Sequence, residues 1–313
     1  MILGDRLDRA PERALSILVL GASGFVGGAV VGALLARGHR VEAWSRRPRA
    51  FPVGVLAREA DLLHPPSYAH FRGPWDALVH LAAHAVPNAA FTEDMARENV
   101  VVTRHALEHL RATSPGARFV LGSSAAVYAP SELALGEDAP VGPRGLYARS
   151  KLDAEELART FGRDLDLRVA RLFNQIGPGM PAGLALSDLC AALARGDDPV
   201  RMKGADSTRD YHDVRDGARA LVLLCETEHA GTWNVASGVP RRISELARDL
   251  VERLGTRQRI EFAPATPDTV LGARTKLERE LGWGARVPFE ETLDRLARWT
   301  AELRAENAPP RPR

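Results

Sequence analysis

Residues 17–30 read ILVLGASGFVGGAV, a short apolar strand pattern that passes through Gly21, Gly24 and Gly27 into a helix pattern. The first glycine allows a sharp turn, the second lets backbone N–H groups approach a pyrophosphate, and the third lets the helix pack on the strand. The spacing is GxxGxxG, and its place between strand and helix separates it from an ordinary glycine-rich turn. We therefore predict a dinucleotide-binding turn formed by Gly21, Ser23, Gly24, Phe25, Val26 and Gly27.

The alternation of strand and helix patterns continues outward from this turn and predicts an α/β fold, a doubly wound (Rossmann) parallel sheet with a smaller C-terminal α/β lobe. Further strand patterns lie at 41–44, 77–81, 119–121 and 167–172, with helix patterns between them at 26–37, 92–111 and 147–160. We place the dinucleotide-binding domain at 14–176 and the substrate-binding lobe at 177–304. The boundary is interwoven if a strand near 232–235 returns to the sheet. Residues 1–13 and 305–313 are predicted to be flexible ends.

Composition indicates an ordinary globular protein. The 313 residues are 45% hydrophobic and 26% charged, with a formal net charge of +2. Basic residues are scattered among acidic ones, which argues against a nucleic-acid partner. Apolar runs stay well below the roughly 20 residues of a membrane span, and no signal peptide is evident. Two cysteines, Cys190 and Cys225, fit buried free thiols, so we expect a cytoplasmic protein.

The end of the second strand pattern indicates which dinucleotide binds. It reads VEAWSRRP at 41–48. NAD-selective sites place an acid here for the ribose 2′-OH, whereas Ser45, Arg46 and Arg47 offer hydrogen-bond donors for a 2′-phosphate. This favours NADP (NADPH), although two solvated arginines, with Glu42 on the same strand, are the alternative. Asp61 and Leu62 are placed to meet the adenine, but Asp61 is equally suited to cap a turn.

A phenol and an ammonium are predicted on one helix face, because Tyr147 and Lys151 lie one turn apart. A free tyrosine has a pKa near 10, so a neighbouring cation helps its hydroxyl to exchange protons near neutrality. Ser124, at the end of a strand pattern, is placed to hold a substrate oxygen against that hydroxyl. A YxxxK pair is common by accident, but together with Ser124 and the glycine turn it predicts an oxidoreductase site.

These features, together with several further motifs, resemble the extended short-chain dehydrogenase/reductase superfamily, in particular its nucleotide-sugar epimerase/dehydratase/reductase branch. The resemblance covers about residues 15–300. The motifs that carry it are GASGFVG at 21–27, HLAA at 80–83, Asn99, SSAAVY at 123–128, YARSK at 147–151, RLFNQIGPG at 171–179, RDYHDVRD at 209–216, WNVASG at 233–238 and ELGW at 280–283.

The resemblance implies roles for residues whose spacing alone is uninformative. Asn99 would belong to a proton relay with the catalytic residues, and Leu81, Ala82 and Ala83 of the HLAA motif would line the cofactor site. Asn174 would face the substrate, and Arg209 would lie near its nucleotide or diphosphate. The helix patterns at 92–111 and 147–160 would form a two-fold dimer interface, so a homodimer is expected.

Within this branch, RLFNQIGPG and RDYHDVRD are most similar to GDP-4-keto-6-deoxymannose reductases. Dehydratases carry acids directly after the catalytic serine or threonine, but Ala125 and Ala126 stand there in this chain, and we expect Ala125 to face the substrate. The resemblance implies NADPH-dependent reduction of the 4-keto group of a nucleotide-linked deoxy sugar. The alternatives are a nucleotide-sugar 4-epimerase, which would retain NAD, a reductase or dehydrogenase of a small ketone or alcohol, and a non-enzymatic cofactor sensor.

Some residues fit the reductase pattern less well. Thr266 stands where an arginine for the diphosphate is expected; Arg274 is a substitute, or the substrate lacks a nucleotide. His84 is a candidate substrate contact, with a structural role equally open. His105, Glu108 and His109 match an HxxEH zinc pattern, but no third ligand follows at a useful spacing, so we expect no metal.

Overall fold

The computed structural model describes residues 11–47, 50–85, 90–273 and 275–307. Its strands are β1 (Ser16–Leu20), β2 (Arg40–Ser45), β3 (Val55–Glu59), β4 (Ala77–His80), β5 (Arg118–Ser124), β6 (Asp166–Leu172), β7 (Asn174–Ile176), β8 (Val200–Lys203), β9 (Thr208–Asp213), β10 (Gly231–Val235), β11 (Pro240–Arg242), β12 (Ile260–Ala263) and β13 (Thr269–Val270). Its α-helices are α1 (Phe25–Ala36), α2 (Glu93–Thr113), α3 (Gly145–Arg159), α4 (Ala185–Arg195), α5 (Val214–Glu226), α6 (Ile243–Arg253), α7 (Thr275–Leu281) and α8 (Phe289–Asn307).

The main sheet has seven parallel strands in the order β10-β6-β5-β4-β1-β2-β3. Strand β1 shows why the apolar run at 17–20 forms an inner strand of this sheet, because successive side chains point to opposite faces of a strand. Ile17 and Val19 pack into one apolar core, with α1 and α5, whereas Leu18 and Leu20 pack into another, with α2 and α3. The predicted doubly wound sheet is therefore confirmed.

A second, smaller unit lies beyond the sheet. Strand β9 pairs with β11, β13 and β7, and β8 pairs with β12. Helices α4, α6 and α8 cover these strands around buried side chains that include Leu189, Leu246 and Leu296. Their hydrophobic positions recur at helical spacing, which is the pattern of an amphipathic helix packed on a core.

The chain crosses between the two units more often than a single boundary at residue 176 implies. Strand β7 precedes that boundary but pairs with β9 of the smaller unit. In the other direction, α5 packs on α1, and β10 joins the main sheet beside β6. The sheet needs these later segments, because α5 covers apolar side chains of α1 that would otherwise face water.

The ends differ slightly from the sequence-based expectation. Helix α8 is helical as far as Asn307, the last described residue, and so extends past the predicted flexible start at 305. Arg274, the candidate diphosphate ligand, lies outside the described residues, as do residues 1–10, 48–49, 86–89 and 308–313. Both cysteines are buried and unpaired. Among the helices described, none has the length and apolar character needed to cross a bilayer.

Candidate active site

A cavity of about 510 Å³ opens at the carboxyl edge of the main sheet, formed by the segments that follow β1, β2, β3 and β4 and by one face of α2. The strand order reverses between β1 and β4, because β2 and β3 are added on one side of β1 and the later strands on the other. Open α/β sheets bind ligands at such a reversal. The predicted site residues that line this cavity are Gly21, Ser23, Gly24, Ser45, Arg46, Arg47, Asp61, Leu62, Leu81, Ala82, Ala83, His84 and Asn99.

The glycine turn is sterically fixed at two of its positions. Gly21 has φ +82°, and a Cβ added there would lie 2.6 Å from the backbone nitrogen of Ala82. A Cβ on Gly27 would lie 2.2 Å from the carbonyl oxygen of Gly21. Gly24 is the N-cap of α1 and brings no capping side chain. The first N–H groups of that helix, which have no partner within it, can therefore serve an anion.

At the far end of the cavity, Ser45 offers a buried hydroxyl that has no hydrogen-bond partner within the described part of the chain. Arg46 and Arg47 are exposed beside it. Glu42 is occupied elsewhere, because its carboxylate accepts hydrogen bonds from Trp44 Nε1 at 2.7 Å and from Arg58 Nε. The end of β2 and the two residues after it thus bring the Ser45 hydroxyl and the Arg46 and Arg47 cations to the cavity, whereas the Glu42 carboxylate of β2 does not line it. Asp61 Oδ1, in addition, accepts a hydrogen bond from the Leu63 nitrogen at 3.1 Å, so it caps a turn at the cavity wall.

Tyr147 and Ser124 meet where α3 begins and β5 ends. Burial of the phenol raises the pKa of Tyr147, and a hydrogen bond between its hydroxyl and the Ser124 side chain opposes that rise. Ser124 Oγ also accepts a hydrogen bond from the Ala126 nitrogen at 3.2 Å, which fixes its direction. The edge of the Phe91 ring packs against the Tyr147 ring, with 5.6 Å between centroids. Nothing in the sequence pattern had indicated Phe91.

Lys151 is buried one helical turn after Tyr147, and its Nζ donates a hydrogen bond to the carbonyl oxygen of Gly122 at 2.9 Å. Burial lowers the pKa of Lys151 to about 8, and the negative charge of Glu155 acts in the opposite direction. The lysine therefore lies where a modest change in its surroundings alters its charge near neutral pH.

Glu155 is a functional neighbour that the sequence analysis did not single out. Its carboxylate is fully buried and accepts hydrogen bonds from Ser123 Oγ at 2.5 Å, from Arg159 at 2.8 Å and from two nitrogens of Arg171 at 3.0 and 2.8 Å. Although burial raises the pKa of Glu155, these hydrogen bonds keep it below its ordinary value. Its position four residues after Lys151 was the available signal.

Asn99 and His84 are joined through the backbone. Asn99 Oδ1 accepts a hydrogen bond from the His84 nitrogen at 2.7 Å, and its Nδ2 donates to the His84 carbonyl at 3.0 Å and to Ser150 Oγ at 3.1 Å. The His84 ring lies 2.6 Å from Glu98, and both side chains line the cavity. Asn99 therefore fixes the segment after β4 against α2 and α3.

Two of the predicted substrate residues, Asn174 on β7 and Arg209 on β9, lie on strands of the smaller unit. Asn174 Nδ2 donates to the Asp210 carbonyl at 3.3 Å, and Asn174 pairs with Tyr211 of β9. The Arg209 guanidinium binds both carboxylate oxygens of Asp268, at 2.8 and 2.9 Å. Ala125 is buried in an apolar cluster that also contains Phe173. Asp268 was not predicted, because a residue 59 positions from its partner leaves no local pattern.

The two histidines of the HxxEH pattern are used in packing. His105 Nδ1 lies 2.9 Å from the Leu62 carbonyl oxygen, at hydrogen-bond distance. The ring of His109 stacks on Tyr68 with centroids 4.1 Å apart. Within the ranges that the structure describes, no three His, Cys, Asp or Glu side chains are arranged to hold a metal ion.

Comparison with known proteins assigns these features to a family. The profile of the NAD dependent epimerase/dehydratase family matches residues 17–236. The chain is 30% identical to UDP-glucuronic acid decarboxylase 4 of Arabidopsis thaliana over 90% of this chain and 68% of the relative. It is 32% identical to GDP-6-deoxy-D-mannose reductase of Pseudomonas aeruginosa over 93% of this chain and 99% of the relative.

Solved structures agree with this assignment. RMD from Pseudomonas aeruginosa complexed with NADPH superposes with a TM-score of 0.79 and 28% identity, covering 92% of this chain and 99% of that chain. MoeE5 in complex with UDP-glucose and NAD superposes with a TM-score of 0.81 and 28% identity, with the same coverage of 92% and 99%. These relatives include a decarboxylase and a reductase, and the two structures hold NAD or NADPH, so the comparisons leave reaction and dinucleotide open.

Proposed function

Because the chain belongs to the NAD-dependent epimerase/dehydratase family, we propose that it is an NADPH-dependent reductase of a keto group, the 4-keto group of a nucleotide-linked deoxy sugar. The observation that carries this proposal is a buried Lys151, bonded to the Gly122 carbonyl near the end of β5 and one helical turn after Tyr147, in a sheet whose carboxyl-edge cavity offers a phosphate site at its far end. The similarity to a GDP-6-deoxy-D-mannose reductase over nearly the whole chain supports it.

The preference for NADPH over NADH rests on the end of β2. The buried Ser45 hydroxyl has no partner in the described chain, and a 2′-phosphate would accept its hydrogen bond. Arg46 and Arg47 would supply the opposite charge, since both line the cavity. Glu42, the acid that could have favoured a free 2′-hydroxyl, is bonded to Trp44 and Arg58.

We infer a mechanism from the placement of Ser124 at the end of β5 and of Tyr147 and Lys151 in the first turns of α3. The bound cofactor would supply the hydride that adds to the carbonyl carbon. Ser124 would hold the substrate oxygen, and the Tyr147 hydroxyl would deliver the proton to that oxygen as the new alcohol forms. The Lys151 ammonium would stabilise the tyrosinate left behind until solvent returns the proton. Ala125 leaves no carboxylate beside Ser124 for elimination of water.

One observation favours a second candidate, a reductase or dehydrogenase of a small ketone or alcohol. Arg209, the expected diphosphate ligand, is already paired with Asp268, and Thr266 adds no charge. Substrates without a nucleotide would need no free arginine.

The test is a panel of NADPH oxidation assays with 4-keto sugars linked to GDP, UDP or dTDP, compared with small ketones. We expect turnover with a nucleotide sugar, and a loss of roughly 100- to 10,000-fold in Tyr147→Phe with NADPH affinity unchanged. Turnover restricted to small ketones would support the second candidate. Interconversion of nucleotide sugars without net NADPH consumption would show an epimerase.

We also propose a cytoplasmic homodimer formed through α2 and α3. These helices pack on one another and leave Val101 and Leu146 exposed, with 37% and 41% of their surfaces accessible. Pairing this surface with a second copy would bury both side chains. Analytical ultracentrifugation of the wild-type chain and of Val101→Asp measures the oligomeric state. We expect wild type to be a dimer and Val101→Asp to dissociate more readily, and a monomeric wild type would contradict the proposal.

A further inference from the structure

Four of the five N–H donors of Arg209 have acceptors within the chain. Its Nη2 donates to both carboxylate oxygens of Asp268, at 2.8 and 2.9 Å, and its Nη1 donates to the carbonyl oxygens of Thr208 and Asp268, each at 3.0 Å. A phosphate that binds the Nη nitrogens of Arg209 must therefore replace an existing partner. Arg209 differs in this respect from an arginine whose guanidinium is hydrated and has no partner in the protein.

The main chain holds Asp268 in place. Its carbonyl oxygen accepts a hydrogen bond from the Thr208 nitrogen at 2.9 Å, and the next two residues, Thr269 and Val270, pair with Thr208 and Arg209 in parallel register. The carboxylate itself remains accessible, with 58% of the side chain exposed. A rotation of the Asp268 side chain can therefore free Nη2 of Arg209, while the hydrogen bond from Nη1 to the Asp268 carbonyl and the strand stay in place.

The surroundings suit an anionic part of a substrate. Arg241 lies directly across from Arg209 in the antiparallel pair of β9 and β11, and its guanidinium lies over the Phe289 ring at 3.4 Å. Its buried Nε has no hydrogen-bond partner within the described residues. Two cations on facing positions favour an anion beside them, although the buried Asp210 carboxylate already supplies one negative charge to Arg241. On the other side, Val270 packs against the cluster of Ala125 and Phe173 that adjoins Ser124.

Resting on the proposed nucleotide-sugar function, we propose that Asp268 limits the phosphate affinity of Arg209: its carboxylate pairs with Arg209 in competition with the phosphate groups of the substrate. An anion that contacts Arg209 alone gains little over the carboxylate it displaces. A diphosphate attached to a nucleoside and a sugar has further contacts, so it binds despite the cost of displacing Asp268. Asp268 thus weakens the binding of every ligand whose phosphate uses Arg209 and contributes no attractive contact of its own.

The experiment is calorimetric titration of the NADP-loaded protein with GDP, UDP and inorganic pyrophosphate. The variants are Asp268→Asn, which keeps the size of the side chain, and Glu261→Gln, which removes an exposed carboxylate of β12 away from Arg209. We expect Asp268→Asn to bind these ligands roughly two- to fivefold more tightly than wild type, the range of an exposed ion pair. Glu261→Gln should bind like wild type, and adding Arg209→Gln to Asp268→Asn should abolish the gain.

Equal or weaker binding of all three ligands to Asp268→Asn would overturn the inference, since Asp268 would then be neutral or a ligand contact. Failure of the proposed function gives a different result. In that case wild type would not reduce any nucleotide-linked 4-keto sugar, while the tighter binding of pyrophosphate to Asp268→Asn would still show the competition.

Discussion

Glu155 lies one helical turn beyond Lys151 on the buried side of α3, and its carboxylate places a negative charge near the Lys151 ammonium. From β4, His80 faces the same lysine, but burial lowers the pKa of His80 to about 3, with the lysine charge adding to that effect, so it is neutral. Tyr147 precedes the lysine on the helix and is neutral until its raised pKa is reached. Glu155 therefore sets the charge balance at the lysine.

The first prediction concerns the pH dependence of reduction. Lys151, with a pKa of about 8, carries its charge below that pH, so the rate should fall as pH rises through this range. Glu155→Gln removes the charge that favours the ammonium, and the alkaline limb of kcat/KM should move to lower pH. Asp153→Asn, an exposed change on the same helix, should leave the limb in place. If the alkaline limb of kcat/KM in Glu155→Gln stayed at the wild-type pH, the charge of Glu155 would not control the pKa of Lys151.

A second prediction concerns stability. Glu155→Gln leaves the buried Arg171 without its counter-charge, and breaking such a pair destabilises a protein by about 3–5 kcal/mol. Asp153→Asn breaks only the exposed pair with Arg149 and should lower stability by at most about 0.5 kcal/mol. Denaturant unfolding near neutral pH measures both changes.

The pKa shift of Glu155 also predicts how the stability difference between wild type and Glu155→Gln depends on pH. Because the folded-state pKa of Glu155 is lowered, its stabilisation is present above the unfolded pKa and is lost as pH falls through the folded value. The difference between wild type and Glu155→Gln should therefore narrow in acid. A constant difference would show that the charge of Glu155 is not its cause.

A third prediction addresses dinucleotide choice. Arg46→Gln should weaken NADPH binding roughly tenfold, since it removes a charge-assisted hydrogen bond, and should leave NADH binding unchanged. Ser45→Ala should act in the same direction. Arg201→Gln is the matched control, because that side chain is 83% exposed on β8 and contributes nothing to the cavity. Fluorescence titration measures the affinity of each variant for NADPH and for NADH. An equal loss of affinity for both nucleotides would contradict a 2′-phosphate site.

A fourth prediction compares two glycines of the same helix. Gly27→Ala would place a methyl group 2.2 Å from the Gly21 carbonyl, so we expect loss of cofactor binding or of folding. Gly32→Ala meets no atom within 4 Å and should raise stability by about 0.5–1 kcal/mol, because alanine favours the helix. Thermal unfolding with and without NADPH measures both variants. Normal NADPH binding by Gly27→Ala would disprove the close packing of the turn.

Features carried by neighbouring residues were predictable before the fold was known. The glycine turn at Gly21, Gly24 and Gly27, the helical spacing of Tyr147 and Lys151, and the strand–helix alternation each follow from local geometry. The sheet and the family were accordingly confirmed. The catalytic and cofactor roles remain predictions, although the cavity brings most of the cofactor residues together.

The sequence by itself determined the doubly wound sheet, the glycine turn and the Tyr-Lys spacing, because short-range sterics and hydrophobic periodicity act within a few residues. Tertiary structure alone decided that Asp268 pairs with Arg209 and that β7 pairs with β9 of the smaller unit. It also decided that Glu155 pairs with Arg171, which lies on the neighbouring strand β6. These partners meet only after the sheet has brought distant segments together, and an ion pair depends on that final placement rather than on any local pattern.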